Sequence, residues 1–347
     1  MDLKKVKDEL FNEVTGIINS ISTLEYPVGA LSLYSIVVKG NPVVDYKLNR
    51  IVDCKYTGLG YDFDSYEIAE RKAIGEFIER YASTVSNKKK ISGTYMDFKN
   101  SQLNLMNPMT ITRVSEKQLL QYGKKGLCLS ENTNFYWVEG MDEINGIPTW
   151  IPTDIVYLLP NFKNEFPIRD ITSTGLATGH SLLEAKIRGL LECIERDAFV
   201  IMWLNKISYP RVKLDTILNL NIIKKIEEIK NQGLEIIVVD ISNDINIPIY
   251  CTFIKNDTYP YLSVGASADF DEESALLGSI REAVTTFNLN VNRSFNLIKK
   301  TSTDFNIFDF KSMDDHSSIY ADINMNSELD FYMEFIIGIV NKEELTL

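Results

Sequence analysis

Histidine and cysteine, the soft ligands and nucleophiles of many enzymes, are scarce in this sequence of 347 residues. The two histidines and four cysteines are His180, His316, Cys54, Cys128, Cys193 and Cys251. This shortage argues against a zinc site and against catalysis by a Cys–His or Ser–His pair. The cysteines form no CxxC pair, and isolated cysteines of this kind are usually small hydrophobic residues buried in the core. The remaining tools are carboxylates with a hard cation such as Mg²⁺.

Basic charge and long apolar runs are also lacking. The 36 lysines and arginines are outnumbered by 48 acidic residues, giving a net charge of −12. No basic run could follow a phosphate backbone, so we expect no nucleic-acid partner. No apolar run approaches the ~20 residues that span a bilayer, and the charged N-terminus does not resemble a signal segment. We therefore expect a cytoplasmic protein without a membrane partner.

Helix and strand patterns alternate along the chain. Helices are predicted near the N-terminus, at 65–82, after Ser181, at 215–232 and from Asp271. Strands are predicted at 30–40, 135–159 and 234–242, with a hairpin closed around Asn256 and Asp257. Because hairpins accompany interleaved helices, the pattern predicts an α+β (mixed α/β) fold with mixed sheets.

Three glycine-containing segments precede predicted helices: TGLGYDFDS, TSTGLATGHS and VGASADFDEES. We interpret each as a loop at a strand–helix corner, and the three corners as converging on one place. Glycine would let the backbone approach a ligand, and the helix N-terminus behind it would favour an anion. None of the three matches a GxxxxGK[ST] or GxGxxG phosphate-binding fingerprint.

A short motif occurs twice, as EFIERYA and ECIERDA. Each copy places two glutamates on one helix face and an arginine four residues after the first. These residues are Glu76, Glu79, Arg80, Glu192, Glu195 and Arg196. A surface ion pair, worth only a few tenths of a kcal/mol, is one interpretation. However, Ile, Leu, Phe and Trp surround the glutamates, and clustered like charges near a core need a compensating cation.

Glu184, eight residues before Glu192, could join these carboxylates from the first turn of its helix. It could equally complete a capping box with Ser181, and the two roles are compatible. Together the residues suit Mg²⁺ and a polyphosphate, with carboxylates on the metal and with arginines and loop amides on phosphate oxygens.

The stretch TSTGLATGHSLLEAKIRGLLECIERDA resembles the signature of the YcaO family, and AERKAIGEFIERYA resembles its earlier ATP-site helix. ALLGSIREAV is similar to the third helix, and DDHSSIYA to a later family element. The resemblance covers roughly residues 55–325. It implies a YcaO-type fold with long helices around a central nucleotide site. Residues 1–50 would form an N-terminal extension, and residues 51–347 a YcaO-like ATP-binding catalytic domain.

The resemblance implies ATP-dependent activation of peptide backbone amides. A Cys, Ser or Thr side chain would attack the preceding carbonyl, ATP would phosphorylate the resulting oxygen, and phosphate would leave. The product would be a thiazoline or oxazoline in a ribosomally made, bacteriocin-type peptide, whereas some relatives make thioamides or amidines. Because an amide oxygen is a poor leaving group, the enzyme's task would be to position ATP and neutralise its charge.

The resemblance also implies the roles of individual residues, although it assigns no catalytic residue. The implied Mg²⁺ ligands are Glu76, Glu79, Glu192 and Glu195. The implied ATP-binding residues are Arg80, Ser173, Glu184, Arg196, Arg281 and Glu282. The two copies of the motif would then form two walls of one nucleotide site. The implied partners are a precursor peptide, a second copy of the chain, and a separate ThiF-like protein that binds the leader peptide, because no such domain precedes the catalytic region.

Four features depart from the family pattern. Leu59 stands where a lysine is common between two glycines, Lys72 replaces a small hydroxyl residue, and Thr285 replaces a glutamine. The sequence also ends in NKEELTL, without a proline-rich C-terminus. Two alternatives therefore stay open: a non-catalytic scaffold or partner-binding subunit, and a Mg²⁺-dependent hydrolase of phosphate esters.

Overall fold

The computed structural model describes residues 3–45, 50–52, 57–84, 88–111, 130–158, 172–295, 319–325 and 339–340. The α-helices are α1 (Leu3–Leu10), α2 (Tyr66–Ala82), α3 (Tyr95–Lys99), α4 (Leu182–Asn205), α5 (Leu220–Asn231) and α6 (Glu272–Phe295). The first strands are β1 (Ile18–Thr23), β2 (Tyr34–Gly40), β3 (Val43–Asp45), β4 (Arg50–Val52), β5 (Thr57–Asp62) and β6 (Lys90–Thr94). The later strands are β7 (Asn134–Asp142), β8 (Ile147–Pro152), β9 (Arg211–Val212), β10 (Glu235–Asp240), β11 (Ile249–Lys255), β12 (Leu262–Ala268) and β13 (Ile339–Val340).

The chain divides into two compact units. The first contains Met1–Asn41, Gly58–Glu76 and Ala177–Leu347, and the second contains Pro42–Thr57 and Phe77–Leu176. Helix α2 passes from the first unit into the second after Glu76. The division into an extension of residues 1–50 and a catalytic domain of residues 51–347 remains a proposal from the sequence.

The first unit is built on a five-stranded sheet with the order β12-β11-β10-β9-β13. Its pairs are antiparallel except for the parallel pair of β13 and β9. Ile236 and Val238 of β10 pack with α5 and α6, whereas Ile237 and Val239 pack with α4. Because successive side chains of a strand point to opposite faces, helices cover both faces of this sheet. A separate sheet of the same unit has the order β1-β2-β5.

The second unit contains the antiparallel sheet β6-β7-β8 and the paired strands β3 and β4. Phe135, Trp137 and Trp150 form its core, and the indole Nε1–H of Trp137 donates to the Gly93 carbonyl at 3.0 Å. Helix α3 begins with a complete capping box between Thr94 and Asp97. This unit confirms the strands predicted in the aromatic-rich middle of the chain.

The predicted α+β class is confirmed, because helices alternate with antiparallel sheets. Helix α2 begins after Ser65, whose hydroxyl accepts from the Ile68 amide at 3.2 Å. The helix predicted at 215–232 starts only at Leu220, because the Asn219 side chain accepts from two amides of its first turn. In the described ranges, no helix is both long and apolar enough to cross a membrane.

The cysteine prediction is confirmed for one residue and wrong for another. Cys251 is fully buried, but Cys193 is exposed on α4. Cys54, Cys128 and His316 lie outside the described residues, as do the DDHSS part of the later family element and the acidic stretch from Asp304 to Ser318.

Two of the three segments predicted as glycine loops are strands. TGLGYD forms β5 and LSVGASA forms β12, so only TSTGLATGHS is a loop. A Cβ atom on Gly60 would collide with the backbone of Ala73 in α2, and one on Gly265 with the backbone of Ala283 in α6. These glycines are therefore needed for close packing of helix on strand, a different purpose from the predicted approach of a ligand.

We expect Gly265→Ala to destabilise the protein by about 1–3 kcal/mol, because the added methyl group must push α6 away from β12. Urea unfolding monitored by circular dichroism measures this change. Gly75→Ala is the matched control, since its Cβ would meet only the Thr178 hydroxyl at 3.1 Å. Equal stability of Gly265→Ala and the wild type would show that the strand does not need this glycine.

Candidate functional site

Helix α2 brings the first copy of the duplicated motif against strand β5. The Leu59 amide donates to Glu76 Oε2 at 2.8 Å, which fixes one oxygen of this carboxylate. One residue earlier in the helix, the Gly75 carbonyl accepts from the hydroxyl of Thr178 at 3.0 Å. The TSTGLATGHS loop therefore reaches α2 next to Glu76.

Helix α4 carries the second copy of the motif, and Ser181 caps its start by accepting from the Glu184 amide at 3.2 Å. The predicted capping box is wrong in its second half. The Glu184 carboxylate accepts from the His180 amide at 2.7 Å, one residue before the cap, and also contacts Arg188 Nη2 at 2.7 Å. The hydrogen bond from the His180 backbone amide and the charge of Arg188 lower the pKa of the Glu184 carboxyl group. Further along α4, Arg196 Nη2 lies 3.4 Å from Glu192 Oε1, confirming the available ion pair.

Glu195 points from α4 to the end of strand β12, where its Oε2 accepts from the Ala268 amide at 3.2 Å. Its side chain is only 20% exposed. Burial raises the pKa of Glu195 to about 8, and the nearby charges of Glu282 and Glu192 act in the same direction. Arg196, whose Nε lies 3.8 Å from Glu195 Oε1, opposes this rise only in part.

Glu282 on α6 interacts electrostatically with residues of three other elements. Water reaches its side chain, yet enough protein surrounds the carboxyl group that burial raises its pKa against the lowering effects of Arg281, Lys72 and Arg196. Within the described ranges, its carboxylate has no hydrogen bond and no ion pair within 4 Å. A carboxylate that solvent can reach but that is poorly solvated is expected at a cation-binding site, because a bound cation compensates the charge that water does not.

Lys72 is a residue of this cluster that the sequence argument treated only as a departure from the family pattern. Its Nζ donates to the Tyr61 carbonyl and to Asp62 Oδ2, both at 3.0 Å. Burial and the neighbouring Arg281 lower the pKa of Lys72, whereas Asp62 and Glu282 raise it. A lysine one helical turn before a carboxylate motif was the available signal.

The structure brings several predicted site residues into one electrostatic cluster within the first unit. They are Glu76, Glu192, Glu195, Arg196, Arg281 and Glu282. Tyr61 lies near both Glu76 of α2 and Glu282 of α6. Burial is the main cause that raises the pKa of the Tyr61 hydroxyl, and the charges of these two glutamates, among others, add to it. Glu184 pairs with Arg188 in the first turn of α4.

The second unit contains the other predicted site residues, Glu79, Arg80 and Ser173. Arg80 Nε lies 3.7 Å from Glu79 Oε1. The binding roles assigned to all ten residues from the sequence stay predictions.

The donor set of the cluster fits a divalent cation bound together with phosphate. The charge of Glu282 disfavours the charged form of Glu195, and a cation bound near both carboxylates would reduce that cost. In the described part of the chain, no three His, Cys, Asp or Glu side chains form a metal-binding group. Mg²⁺ commonly takes only one or two protein carboxylates and completes its shell with water and phosphate oxygens, so the residues fit this mode.

Glu195→Gln and Glu184→Gln should change stability in opposite directions in metal-free protein. A folded-state pKa raised to about 8 means that the Glu195 contribution is present at low pH and is lost as pH rises toward 8. Glu195→Gln should therefore be more stable than the wild type at pH 8 and lose part of this pH dependence. Glu184→Gln should be less stable at neutral pH, because the depressed pKa of Glu184 favours its charged form in the fold.

Urea unfolding of both variants between about pH 5 and pH 9, with EDTA present, measures these changes. A destabilised Glu195→Gln at pH 8 would show that the Glu195 carboxylate is charged and well compensated without metal.

Comparison with known proteins gives a family for this arrangement. The family model described as YcaO cyclodehydratase, ATP- and Mg²⁺-binding, matches residues 63–342. A curated relative is an uncharacterised protein from the tfuA 3′ region of Rhizobium leguminosarum bv. trifolii, 28% identical over 122 residues. That alignment covers 34% of this chain and 29% of the relative.

Solved structures share the fold at low identity. A heterocyclase in complex with substrate and cofactor superposes with a TM-score of 0.69 at 16% identity, over 92% of this chain and 44% of that one. YcaO from Methanopyrus kandleri, bound with AMPPCP and Mg²⁺, gives 0.57 at 16% identity, over 80% and 63%. The E. coli microcin synthetase McbBCD complex with pro-MccB17 gives 0.62 at 13% identity, over 92% and 76%.

This chain therefore corresponds to less than half of the heterocyclase, and the curated relative matches it over less than a third of its own length. The family description confirms the prediction of ATP and Mg²⁺ as cofactors. Because the family model matches most of the sequence, and the fold agrees with solved relatives, this chain belongs to the YcaO family.

Proposed function

We propose that this chain is an ATP-dependent enzyme of the cyclodehydratase type that activates backbone amides of a peptide. The expected outcome is closure of Cys, Ser or Thr onto the preceding carbonyl to give a thiazoline or oxazoline. The observation that carries the proposal is the cluster of Glu195 and Glu282, two carboxylates with raised pKa values. Arg196 acts on both of them, and Lys72 and Arg281 act on Glu282. Membership of the YcaO family gives this cluster its chemistry.

ATP, when bound, supplies the phosphoryl group that turns the amide oxygen into a leaving group. The chain's own residues would orient the bound ATP and neutralise the charge of its phosphate groups. The Leu59 amide fixes Glu76 Oε2, and the Ala268 amide fixes Glu195 Oε2. Both carboxylates are therefore held in place by backbone donors, and they would be among the ligands of Mg²⁺ when it is bound. Arg281 carries a positive charge beside Glu282 that suits phosphate oxygens. Such positioning and charge neutralisation supply most of the catalysis in phosphoryl transfer.

Relatives support a peptide substrate and protein partners. The heterocyclase was solved with a substrate, and the microcin synthetase is a complex with pro-MccB17 bound. For this chain we propose a ribosomally made precursor peptide of the bacteriocin type, presented by a ThiF-like leader-binding partner. The cytoplasmic location stays a prediction.

Lys72 favours a second candidate, the non-catalytic scaffold. Its ammonium group is held by Asp62 and lies close enough to Glu282 to affect the pKa of that carboxyl group. A fixed lysine can compensate carboxylates in place of a divalent cation. Family membership with an intact duplicated motif supports the enzyme, whereas an internal substitute for the cation would support the scaffold.

The first test is binding of ATP with Mg²⁺, measured by isothermal titration calorimetry on the wild type and on Glu192→Ala. We expect micromolar binding by the wild type and a loss of at least about tenfold in the variant, because charge-assisted interactions with the bound cation are removed. Glu228→Ala on α5 is the matched control and should bind as the wild type does. If Glu192→Ala and the control bind ATP with equal affinity, Glu192 of the second motif takes no part in the nucleotide site.

Turnover separates the candidates. With precursor peptide and partner protein present, the enzyme should consume ATP only when peptide is present, and mass spectrometry should show loss of water from the peptide. ATP binding without consumption would support the scaffold. Release of phosphate from simple phosphomonoesters without peptide would support the hydrolase.

Lys72→Ser, which restores the small hydroxyl residue of the family pattern, tests the role of the lysine. If Lys72 binds phosphate, we expect ATP affinity to fall by about tenfold, since a charge-assisted contact is worth about 1.5–3 kcal/mol. Lys72→Arg, which keeps the charge, should retain most of the affinity. Stronger binding of Mg²⁺ and ATP by Lys72→Ser would show instead that the lysine occupies the place of the cation.

A further inference from the structure

A cavity of about 210 Å³ lies in the first unit, with walls separate from the carboxylate cluster. Four elements line it: the segment before β2, the corner between β5 and α2, the C-terminal part of α5, and α6. Its apolar walls are Leu31, Phe63, Ile229 and Val284. An apolar cavity of about 150 Å³ already holds a benzene ring, so this one has room for an aromatic side chain.

The walls of this cavity are fixed by buried polar contacts. The Leu31 amide donates to Asn288 Oδ1 at 2.8 Å, and Asn288 Nδ2 donates to the Leu31 carbonyl at 2.9 Å. Lys225 Nζ lies 3.0 Å from Asp64 Oδ1 and 5.2 Å from the centre of the Phe63 ring. The cavity is therefore preformed, as binding sites for small apolar groups usually are.

The charges around the cavity favour a neutral occupant. Lys225 is buried, and the carboxylates of Asp64 and Glu228 face its ammonium group. These carboxylates and the carbonyl end of α5 oppose an anion, whereas the ammonium group of Lys225 opposes a cation. An uncharged ring avoids both costs and gains free energy from the burial of its apolar surface.

The remaining polar residues of the lining are uncharged and exposed: Ser32, Asn231 and Gln232. A primary amide carries both donors and an acceptor, as a peptide group does. Asn231 and Gln232 can therefore pair with the N–H and C=O groups of a peptide backbone, and the Ser32 hydroxyl can do the same. Such a rim distinguishes an aromatic residue within a peptide from a free aromatic molecule.

We propose that the cavity receives an aromatic side chain of an extended peptide segment, whose backbone pairs with Ser32, Asn231 and Gln232. The ring lies among the four apolar walls, and the peptide groups on either side of it stay at the rim. Burial of the ring supplies most of the affinity, and the rim supplies the selectivity for a peptide.

The cavity and the carboxylate cluster share two elements. Phe63 directly follows Asp62, whose Oδ2 accepts from Lys72 Nζ at 3.0 Å. On α6, Val284 follows Arg281 by three residues, about one turn. An extended peptide advances about 3.3–3.6 Å per residue, so a peptide anchored in the cavity reaches the cluster within a few residues. The identification of this peptide as the substrate rests on the proposed function, whereas its binding does not.

Saturation-transfer NMR titrations, without nucleotide or metal, test the cavity with defined probes. The probes are the pentapeptide Ac-Gly-Gly-Phe-Gly-Gly-NH₂ and the same peptide with Ala, Glu or Lys in place of Phe. We expect the Phe peptide to bind at least about tenfold more tightly than each of the others, because only its side chain is both large and uncharged. Benzyl alcohol, which has the ring without the peptide groups, should bind at least about threefold more weakly than the Phe peptide.

Variants of the lining locate the site. Ser32→Phe places a ring of the chain itself at the rim and should weaken binding of the Phe peptide at least about tenfold. Ser92→Phe, at an exposed serine of β6 in the second unit, is the matched control and should bind as the wild type does. The double variant Asn231→Ala with Gln232→Ala should weaken binding of the Phe peptide about three- to tenfold and leave that of benzyl alcohol unchanged. Circular dichroism melting confirms that the variants are folded.

Equal affinity for the four peptides, or unchanged binding by Ser32→Phe, would overturn the cavity as a binding site. Benzyl alcohol that binds as tightly as the Phe peptide, or a double variant that keeps full affinity for that peptide, would overturn the peptide as its occupant.

ATP binding separates this proposal from the proposed function. Ser32→Phe should bind ATP with Mg²⁺ as the wild type does, and Glu192→Ala should bind the Phe peptide as the wild type does. In the turnover assay, Ser32→Phe should raise the KM for the peptide and leave kcat unchanged. An unchanged KM would exclude the substrate as the peptide that occupies the cavity.

Discussion

The cost of a charged Glu195 carboxylate, held in a mostly buried place near a second carboxylate, is the constraint on which the candidate site depends. Glu195 and Glu282 come from different helices, and the charge of Glu282 adds to the burial that raises the pKa of Glu195. A fold keeps two such carboxylates together only when packing elsewhere outweighs the free energy that they cost. A cation that removes this cost gains the same free energy for its binding. The neighbouring Arg196, Arg281 and Lys72 reduce the repulsion without cancelling it.

Strand β12 sets the relation between the two helices that carry these groups. Gly265 has no side chain, so α6 packs directly on the strand near Glu282. The Ala268 amide at the strand's end holds Glu195 from α4. Alternating burial along β10 and β11 then places α6 and α4 on opposite faces of one sheet. The two carboxylates therefore depend on backbone features more than on specific side-chain contacts.

The sequence was sufficient for most of the fold and for much of the cluster. Caps at Ser65 and Ser181, apolar periodicity and the duplicated motif predicted helices α2 and α4 and their carboxylates. The sequence was insufficient where a glycine could serve either a loop or the close packing of a helix on a strand. Gly60 and Gly265 were interpreted as parts of loops, but both serve strand–helix packing. Lys72 and Tyr61 were missed because their place depends on α6, more than two hundred residues away in the chain.

The amino-acid sequence by itself determined the family, the cofactors implied by that family, and which helix faces carry acidic residues, because these follow from local periodicity and motif spacing. Only the tertiary structure decided which carboxylates lie near one another and which backbone amides hold them. Those relations depend on contacts between segments distant in sequence, and local patterns do not encode how far apart two such segments come to lie.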